Sequence, residues 1–346
     1  MSAEPHPAVA PAKAPGWSLR LRIVSGILFV PLLILLARAG GLAFSGFVAL
    51  QVFLGLREFY RMMRGKGLHP SAVLGTLASL GVLLACYKPH LVGSDALMGG
   101  LLERGAGLYH DVAGEVLVTG LVLLMLAISL RHPERPRQVE SLGVTLLGIL
   151  YVGWLSAHFV LLRELPWIAG TAYGEGASYV LLAFFVTWSC DTGAYAIGRM
   201  FGRTRPWTTI SPRKSLEGAV GGLAAAVLAA FIARAWFARY LGSWDALVIG
   251  ATVGVFGQVG DFVESLLKRD ARHGDSSDLI PGHGGILDRF DSLYFAAPVV
   301  YYYLRFAVFR VPSSRAAKHC TSAVSEKSPS RRWRITRMRA TPSRPR

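Results

Sequence analysis

The feature that most constrains this chain is a series of apolar stretches, each close to the length that crosses a lipid bilayer. Spans are read at 22–38, 41–58, 71–88, 114–131, 142–162, 177–197, 216–238, 245–266 and 290–309, against the ~20 apolar residues that a bilayer core requires. The fourth is the least sharply bounded, because Leu101 to Gly114 is mixed. Composition agrees: 52% of the 346 residues are hydrophobic and only 17% are charged, where a soluble domain carries roughly 25% charge. The expected fold is all-α, a polytopic transmembrane helical bundle of about nine spans.

Charge divides the chain further. Residues 311–346 hold ten Lys and Arg against the single acid Glu326, so +9 of the net +16 lies in the tail. The high charge is therefore mostly a tail property and does not point to nucleic acid. Residues 1–18 are rich in Pro and Ala and read as a disordered arm. Residues 19–175 form an N-terminal transmembrane region and 176–310 a C-terminal transmembrane region, expected to be catalytic. The tail 311–346 reads as disordered. Arg20 and Arg22 before Ile23 to Ala37 suit an uncleaved first span better than a signal peptide, since Ala37-Arg38-Ala39 makes a poor cleavage site. Cys86, Cys190 and Cys320 have no pairing or metal spacing, and the first two read as small buried hydrophobes.

Basic residues cluster in alternate loops: Arg57 to Lys66, Arg131 to Arg137, Arg199 to Lys214, and Lys268 to Arg272. The intervening loop 164–176 has Glu164 and Glu175, with Arg163 only at its edge. The basic face is thus cytoplasmic, and the chain is expected as a multi-pass protein of the cell's inner (plasma) membrane. Nine spans would put the basic tail on the opposite face. Either one span is miscounted, or the tail crosses despite its charge.

The acids within apolar context carry the functional argument, because each costs about 2.5–3.5 kcal/mol to insert. Asp191 lies in Thr187-Trp188-Ser189-Cys190-Asp191-Thr192-Gly193-Ala194-Tyr195, and Asp261 follows Gly257-Gln258-Val259-Gly260. After Asp261 comes the densest polar segment of the membrane body. It runs through Glu264, Lys268, Arg269 and Asp270 to Pro281-Gly282-His283-Gly284-Gly285 and Asp288-Arg289-Phe290-Asp291. Glycines let backbone amides approach an anion closely. Asp288 and Asp291, at i and i+3, share a face of a helix. Carboxylates beside bases and a glycine loop suit a metal–phosphate site, since Mg²⁺ takes oxygen ligands from carboxylates and phosphates. His283 reads as a proton donor or phosphate contact. Asp270 reads as an ion-pair partner of Lys268 and Arg269. On the same face, Ser211-Pro212-Arg213-Lys214-Ser215 precedes a helix start and can grip phosphate. Its plainer reading is a basic loop with Ser215 capping the next helix.

The run from Ser265 through Lys268-Arg269 to Pro281-Gly282-His283-Gly284-Gly285-Ile286-Leu287-Asp288-Arg289-Phe290-Asp291 resembles the signature of the phosphatidate cytidylyltransferase family. The segments Asp191-Thr192-Gly193-Ala194-Tyr195 and Ser211 to Gly218 resemble that family's upstream motifs. The specific resemblance covers roughly residues 185–295. One position departs: the family carries Lys just before Asp275, and here it is Gly274. The resemblance implies a helical bundle with a polar cavity open to the cytoplasm. It implies Asp261, Asp288, Lys268 and Arg269 as catalytic positions, with Asp261 and Asp288 holding Mg²⁺ and a second cation left open. It implies Ser211, Arg213, Lys214, His283, Gly284, Gly285, Arg289, Asp291 and Asp191 as substrate contacts.

The implied partners are CTP, phosphatidate and membrane lipid, with a homodimer left open and nucleic acid excluded. The implied reaction transfers the cytidylyl group of CTP to phosphatidate, giving CDP-diacylglycerol and pyrophosphate. Rivals are a related CTP-dependent lipid cytidylyltransferase, a polyprenol kinase, and an ion-coupled transporter using Asp191 and Asp261. The transporter leaves the His-Gly-Gly loop and its bases unexplained. A CDP-alcohol phosphotransferase is disfavoured, because its closely spaced Asp array is missing.

This reading predicts that loops 199–214 and 268–288 lie on the same side of the membrane. Single cysteines introduced in each should react with an impermeant maleimide from one side only. Labelling from opposite sides would rule out a shared site.

Overall fold

The computed structural model describes residues 19–87, 119–130, 134, 136–271 and 285–311. The N-terminal arm, most of the tail, Cys320, Gly274, His283 and Gly284 lie outside the described residues, so the expectations placed on them have no counterpart here. Among the described residues there are nine helices and no strand: α1 (Leu19–Ala39), α2 (Gly41–Gly65), α3 (Ala72–Cys86), α4 (Thr119–Ser129), α5 (Gln138–Ala169), α6 (Glu175–Phe201), α7 (Leu216–Trp236), α8 (Ser243–Asp270) and α9 (Leu287–Tyr303). Each coincides with one of the nine expected spans.

Helices α2, α5, α6, α7 and α8 are long and apolar enough to cross a membrane. The stretch Leu28–Ala39 of α1, together with α3 and α4, is apolar but shorter. Helix α9 has 17 residues and then widens into a π turn, Leu304–Val308. Leu42, Leu84, Val139 and Leu228 point outward, a pattern that suits lipid and not water. The chain is an integral membrane protein.

Close helix approach depends on small residues, as expected where lipid offers no hydrophobic drive between helices. A Cβ on Gly193 would come within 2.4 Å of Ala225 Cβ, and one on Gly221 within 2.5 Å of Ile197. These contacts press α6 against α7. Gly250 does the same for α8 against the α7 backbone at Val227. An aromatic cluster joins α5, α6 and α9, with Phe159 and Phe184 centred 5.2 Å apart and Phe290 set edge-on to both at 6.1 Å. Burying Phe290 in this cluster fixes the rotation of α9 about its axis, and hence the direction of Asp288 and Asp291.

Arg163 does not sit at a loop edge: it is 1% exposed. Its guanidinium donates to Ala37 O (2.6 Å), Arg38 O (3.3 Å) and Tyr173 O (3.1 Å) and lies 4.0 Å from the Tyr173 ring centre. The α1 C-terminus, whose carbonyls have no helical partner, is therefore closed by a cation from α5. Gly40 turns the chain into α2 with φ 61° and ψ −155°, a region essentially confined to glycine. A Cβ there would lie 2.1 Å from Arg163 Nη2.

Arg163→Ala should therefore destabilise the protein by about 3 kcal/mol, because buried carbonyls lose charged donors. Gly40→Ala should also be destabilising. Thermal unfolding in detergent checks both, and unchanged melting temperatures would deny the anchor.

Candidate active site

The polar site forms where α6, α7, α8 and α9 meet the 202–215 loop. Ser215 caps α7, accepting from Gly218 N–H at 3.2 Å. Glu217 accepts from Thr204 N–H (3.0 Å) and Arg203 N–H (3.2 Å), and Leu216 N–H donates to Thr204 O (2.9 Å). The loop is thereby folded back over the start of α7. The capping role and the anion-site role of this segment coexist: Ser215 caps, while its neighbour Lys214 turns inward.

Lys214 Nζ lies 2.9 Å from Asp261 Oδ2 and 3.7 Å from the Phe262 ring centre. Both groups line a cavity of about 480 Å³, with Asp191, Tyr195 and Arg199 from α6, Arg205, Trp207, Ser211 and Arg213 from the loop, and Gln258 from α8. The Trp207 and Phe262 rings are 4.9 Å apart and tilted by 57°. Arg199 donates to the Tyr195 hydroxyl at 2.8 Å. Four cations thus share one recess with two carboxylates, in a volume typical of small-molecule sites.

Next to this recess the acids gather. Oxygens of Asp261, Glu264 and Asp291 all lie within 4.8 Å of one another. Lys268 Nζ sits 2.9 Å from Glu264 Oε1 and 3.1 Å from Asp288 Oδ1. The Lys268–Glu264 and Lys214–Asp261 contacts are ion pairs without hydrogen-bond alignment, whereas Lys268 donates to Asp288. The second Asp288 oxygen accepts Gly285 N–H at 3.1 Å. Asp191 Oδ1 receives Ser292 Oγ at 3.5 Å. Five carboxylates therefore converge, and two lysines are ion-paired among them.

Most of the residues expected from sequence come together here. Asp191, Ser211, Arg213, Lys214 and Asp261 line the cavity, while Lys268, Asp288 and Asp291 adjoin it. Arg289 is exposed on the first turn of α9. Arg269 points elsewhere, donating to Ile210 O and so tying α8 to the loop. Asp270 pairs with Lys66, just past the end of α2, and not with its sequence neighbours. The acid grouped with Asp261 is Asp291, joined by Glu264, and Asp288 is not in that group. The Gly285 amide faces Asp288. Glu264, three residues after Asp261 and four before Lys268, shares their helix face, and that spacing alone could have singled it out. Cavity residues Arg199, Arg205, Trp207 and Gln258 carry no comparable spacing signal.

The all-oxygen set suits a hard cation such as Mg²⁺. The three acids come from two helices, and the two lysines leave them in excess. Residues of this kind can gather a divalent cation and polyphosphate on a membrane protein, which is the class of site a lipid-directed nucleotide enzyme requires. Residues 20–307 match the cytidylyltransferase family. A phosphatidate cytidylyltransferase of Synechocystis is 34% identical over 305 residues, covering 82% of this chain and 95% of the relative. Those of Staphylococcus saprophyticus and Staphylococcus aureus are 33% and 30% identical, each over 80% of this chain and 94% of the relative. The chain belongs to the cytidylyltransferase family.

The site depends on close approach of α8 and α9 at Gly260. A Cβ there would lie 2.5 Å from Asp291 O, whereas one on Gly257 would meet nothing nearer than 3.8 Å. Gly260→Ala should part Asp261 from Asp291 and lower cytidylyl transfer by about 10–100-fold, since small displacements of reacting groups are costly. Gly257→Ala should leave the rate near wild type. Equal rates for both variants would deny that helix spacing sets the site.

Proposed function

We propose that this protein transfers the cytidylyl group of CTP to phosphatidate, forming CDP-diacylglycerol and pyrophosphate. The observation that carries this reading is the juxtaposition of the Arg/Lys-lined cavity with the Asp261–Glu264–Asp291 group. The names of the relatives supply the lipid. The site faces the cytoplasm of the inner membrane, where CTP is found, and the basic loops favour that orientation.

A phosphate monoester has a second pKa of about 6 and is mostly dianionic near neutrality. Phosphatidate therefore needs no strong base to act as nucleophile. Its phosphate oxygen attacks the α-phosphorus of CTP. A new P–O bond forms, the bond to the β-phosphate oxygen breaks, and pyrophosphate carries off the electron pair. The obstacle is repulsion between two anions. Arg199, Arg205, Arg213 and Lys214 supply positive charge around the cavity, and Ser211 adds a neutral donor. The Trp207 and Phe262 rings offer aromatic faces on which the pyrimidine ring can stack. Asp261, Glu264 and Asp291 would hold Mg²⁺, which supplies charge neutralisation to the phosphates when bound. Lys268 keeps Glu264 and Asp288 from repelling each other, so Asp288 acts on the site chiefly through Lys268 and the Gly285 amide.

Purified protein given phosphatidate, CTP and Mg²⁺ should release pyrophosphate and form CDP-diacylglycerol. Asp261→Asn and Asp291→Asn should each lower turnover about 10²–10³-fold, the usual scale for one electrostatic group. Asp288→Asn should lose activity that extra Mg²⁺ does not restore. Asp270→Asn, which loses a half-exposed pair with Lys66, should cost no more than about 1 kcal/mol of stability. Near-normal turnover of Asp261→Asn and Asp291→Asn across a Mg²⁺ titration would remove the metal assignment.

A further inference from the structure

Helix α2 carries two buried polar residues that the reaction above does not use, Gln51 at 3% exposure and Glu58 at 2%. They are seven residues apart, two helical turns, and so share a face. Gln51 Nε2 donates to the Tyr294 hydroxyl at 2.7 Å. The two Glu58 oxygens accept Ile286 N–H at 3.1 Å and Leu287 N–H at 2.9 Å. Their partners on α9, Leu287 and Tyr294, are also seven apart. The two helices therefore run antiparallel in a matched register, gripped at two points.

The lower grip falls where the site is most sensitive. Ile286 and Leu287 are the first amides of α9, and a helix N-terminus attracts an anion through its unpaired N–H groups and its dipole. Gly285 N–H, one residue earlier, is taken by Asp288. Three successive amides at the end of the glycine run are thus closed by carboxylates of the chain itself, leaving the phosphate-binding role to the cavity cations. Asp291 follows Leu287 by about one turn. Whatever fixes the first turn of α9 also fixes Asp291 relative to Asp261 and Glu264, and Asp288 relative to Lys268.

We propose that Glu58 is a positioning residue: from the N-terminal half of the chain it clamps the first turn of α9 and so sets the cation affinity of the Asp261–Glu264–Asp291 group. The role rests on the metal assignment made above. Glu58 acts on the site through its bonds to α9, so its loss should be felt first as weaker metal binding, with the CTP-binding cations left in place.

The test uses the full-length protein in detergent, with Mn²⁺ as probe and binding followed by electron paramagnetic resonance without substrate. Glu58→Ala should weaken Mn²⁺ binding and lower kcat by about 10–100-fold, the usual scale for partners that orient ligands. KM for CTP should change little. Glu58→Asp, which keeps the charge on a shorter arm, should recover part of both losses. Gln51→Leu is the structural comparison: it removes the upper grip, and should lower the melting temperature while leaving Mn²⁺ affinity near wild type. Unchanged Mn²⁺ affinity in folded Glu58→Ala would overturn the proposal, as would equal losses in Gln51→Leu, or absence of Mn²⁺ binding by the wild type. A wild type that binds Mn²⁺ and loses it on Glu58→Ala, yet makes no CDP-diacylglycerol, would instead refute the reading of the reaction.

Discussion

Everything at the C-terminal end of this bundle depends on keeping several carboxylates close together inside a membrane protein. Charges taken out of water are costly unless paired, and removing one partner leaves the other uncompensated. Lys268 is the pivot. Its ammonium is within 3.1 Å of both Glu264 and Asp288, so one cation serves two helices. Lys214 plays the same part for Asp261 from the loop before α7. Of the five acids, Asp191 and Asp291 have no ion pair among the described residues, and Asp291 is the one grouped with Asp261 and Glu264.

Such an arrangement tolerates little slack, and the glycines show how it is kept tight. Gly193 and Gly221 draw α6 onto α7, Gly250 draws α8 onto α7, and Gly260 draws α8 onto the α9 backbone. Four helices are thereby held at backbone distance around one recess. The apolar counterpart is the Phe159–Phe184–Phe290 cluster. It lets α9 bury its aromatic face and present its acidic face, so packing and chemistry are set by the same rotation.

The helices were legible in the sequence because lipid imposes a length and a polarity on a span: a helix lies at each of the nine expected places, and five of the nine are long and apolar enough to cross a membrane. The acids were legible for the same reason: Asp191 and Asp261 stand out where charge is expensive. What sequence could not give was pairing between distant elements. Asp270 stands beside Lys268 and Arg269 but meets Lys66, because the helix turns its neighbours to other faces. Arg163 looked like part of a loop, yet it is buried by the α1 carbonyls it serves, 125 residues and more away in the chain. Asp288 carries the stronger motif, but the turn from Asp288 to Asp291 brings the latter to Asp261 and the former to Lys268.

The N-terminal half is more than a lipid-facing companion to the site. Gln51 and Glu58, buried on α2, bind the Tyr294 hydroxyl and the first amides of α9, and the partly exposed Lys66 just past the end of α2 pairs with Asp270 at the end of α8. A helix that only filled space would have been apolar at Gln51 and Glu58, as its buried neighbours Val52, Leu56 and Phe59 are. Each polar contact is made to one of the two helices that carry the acidic group. The constraint that Lys268 imposes from within is thus matched by one that α2 imposes from outside. Between them, α8 and α9 are fixed along their length, at their ends, and in rotation.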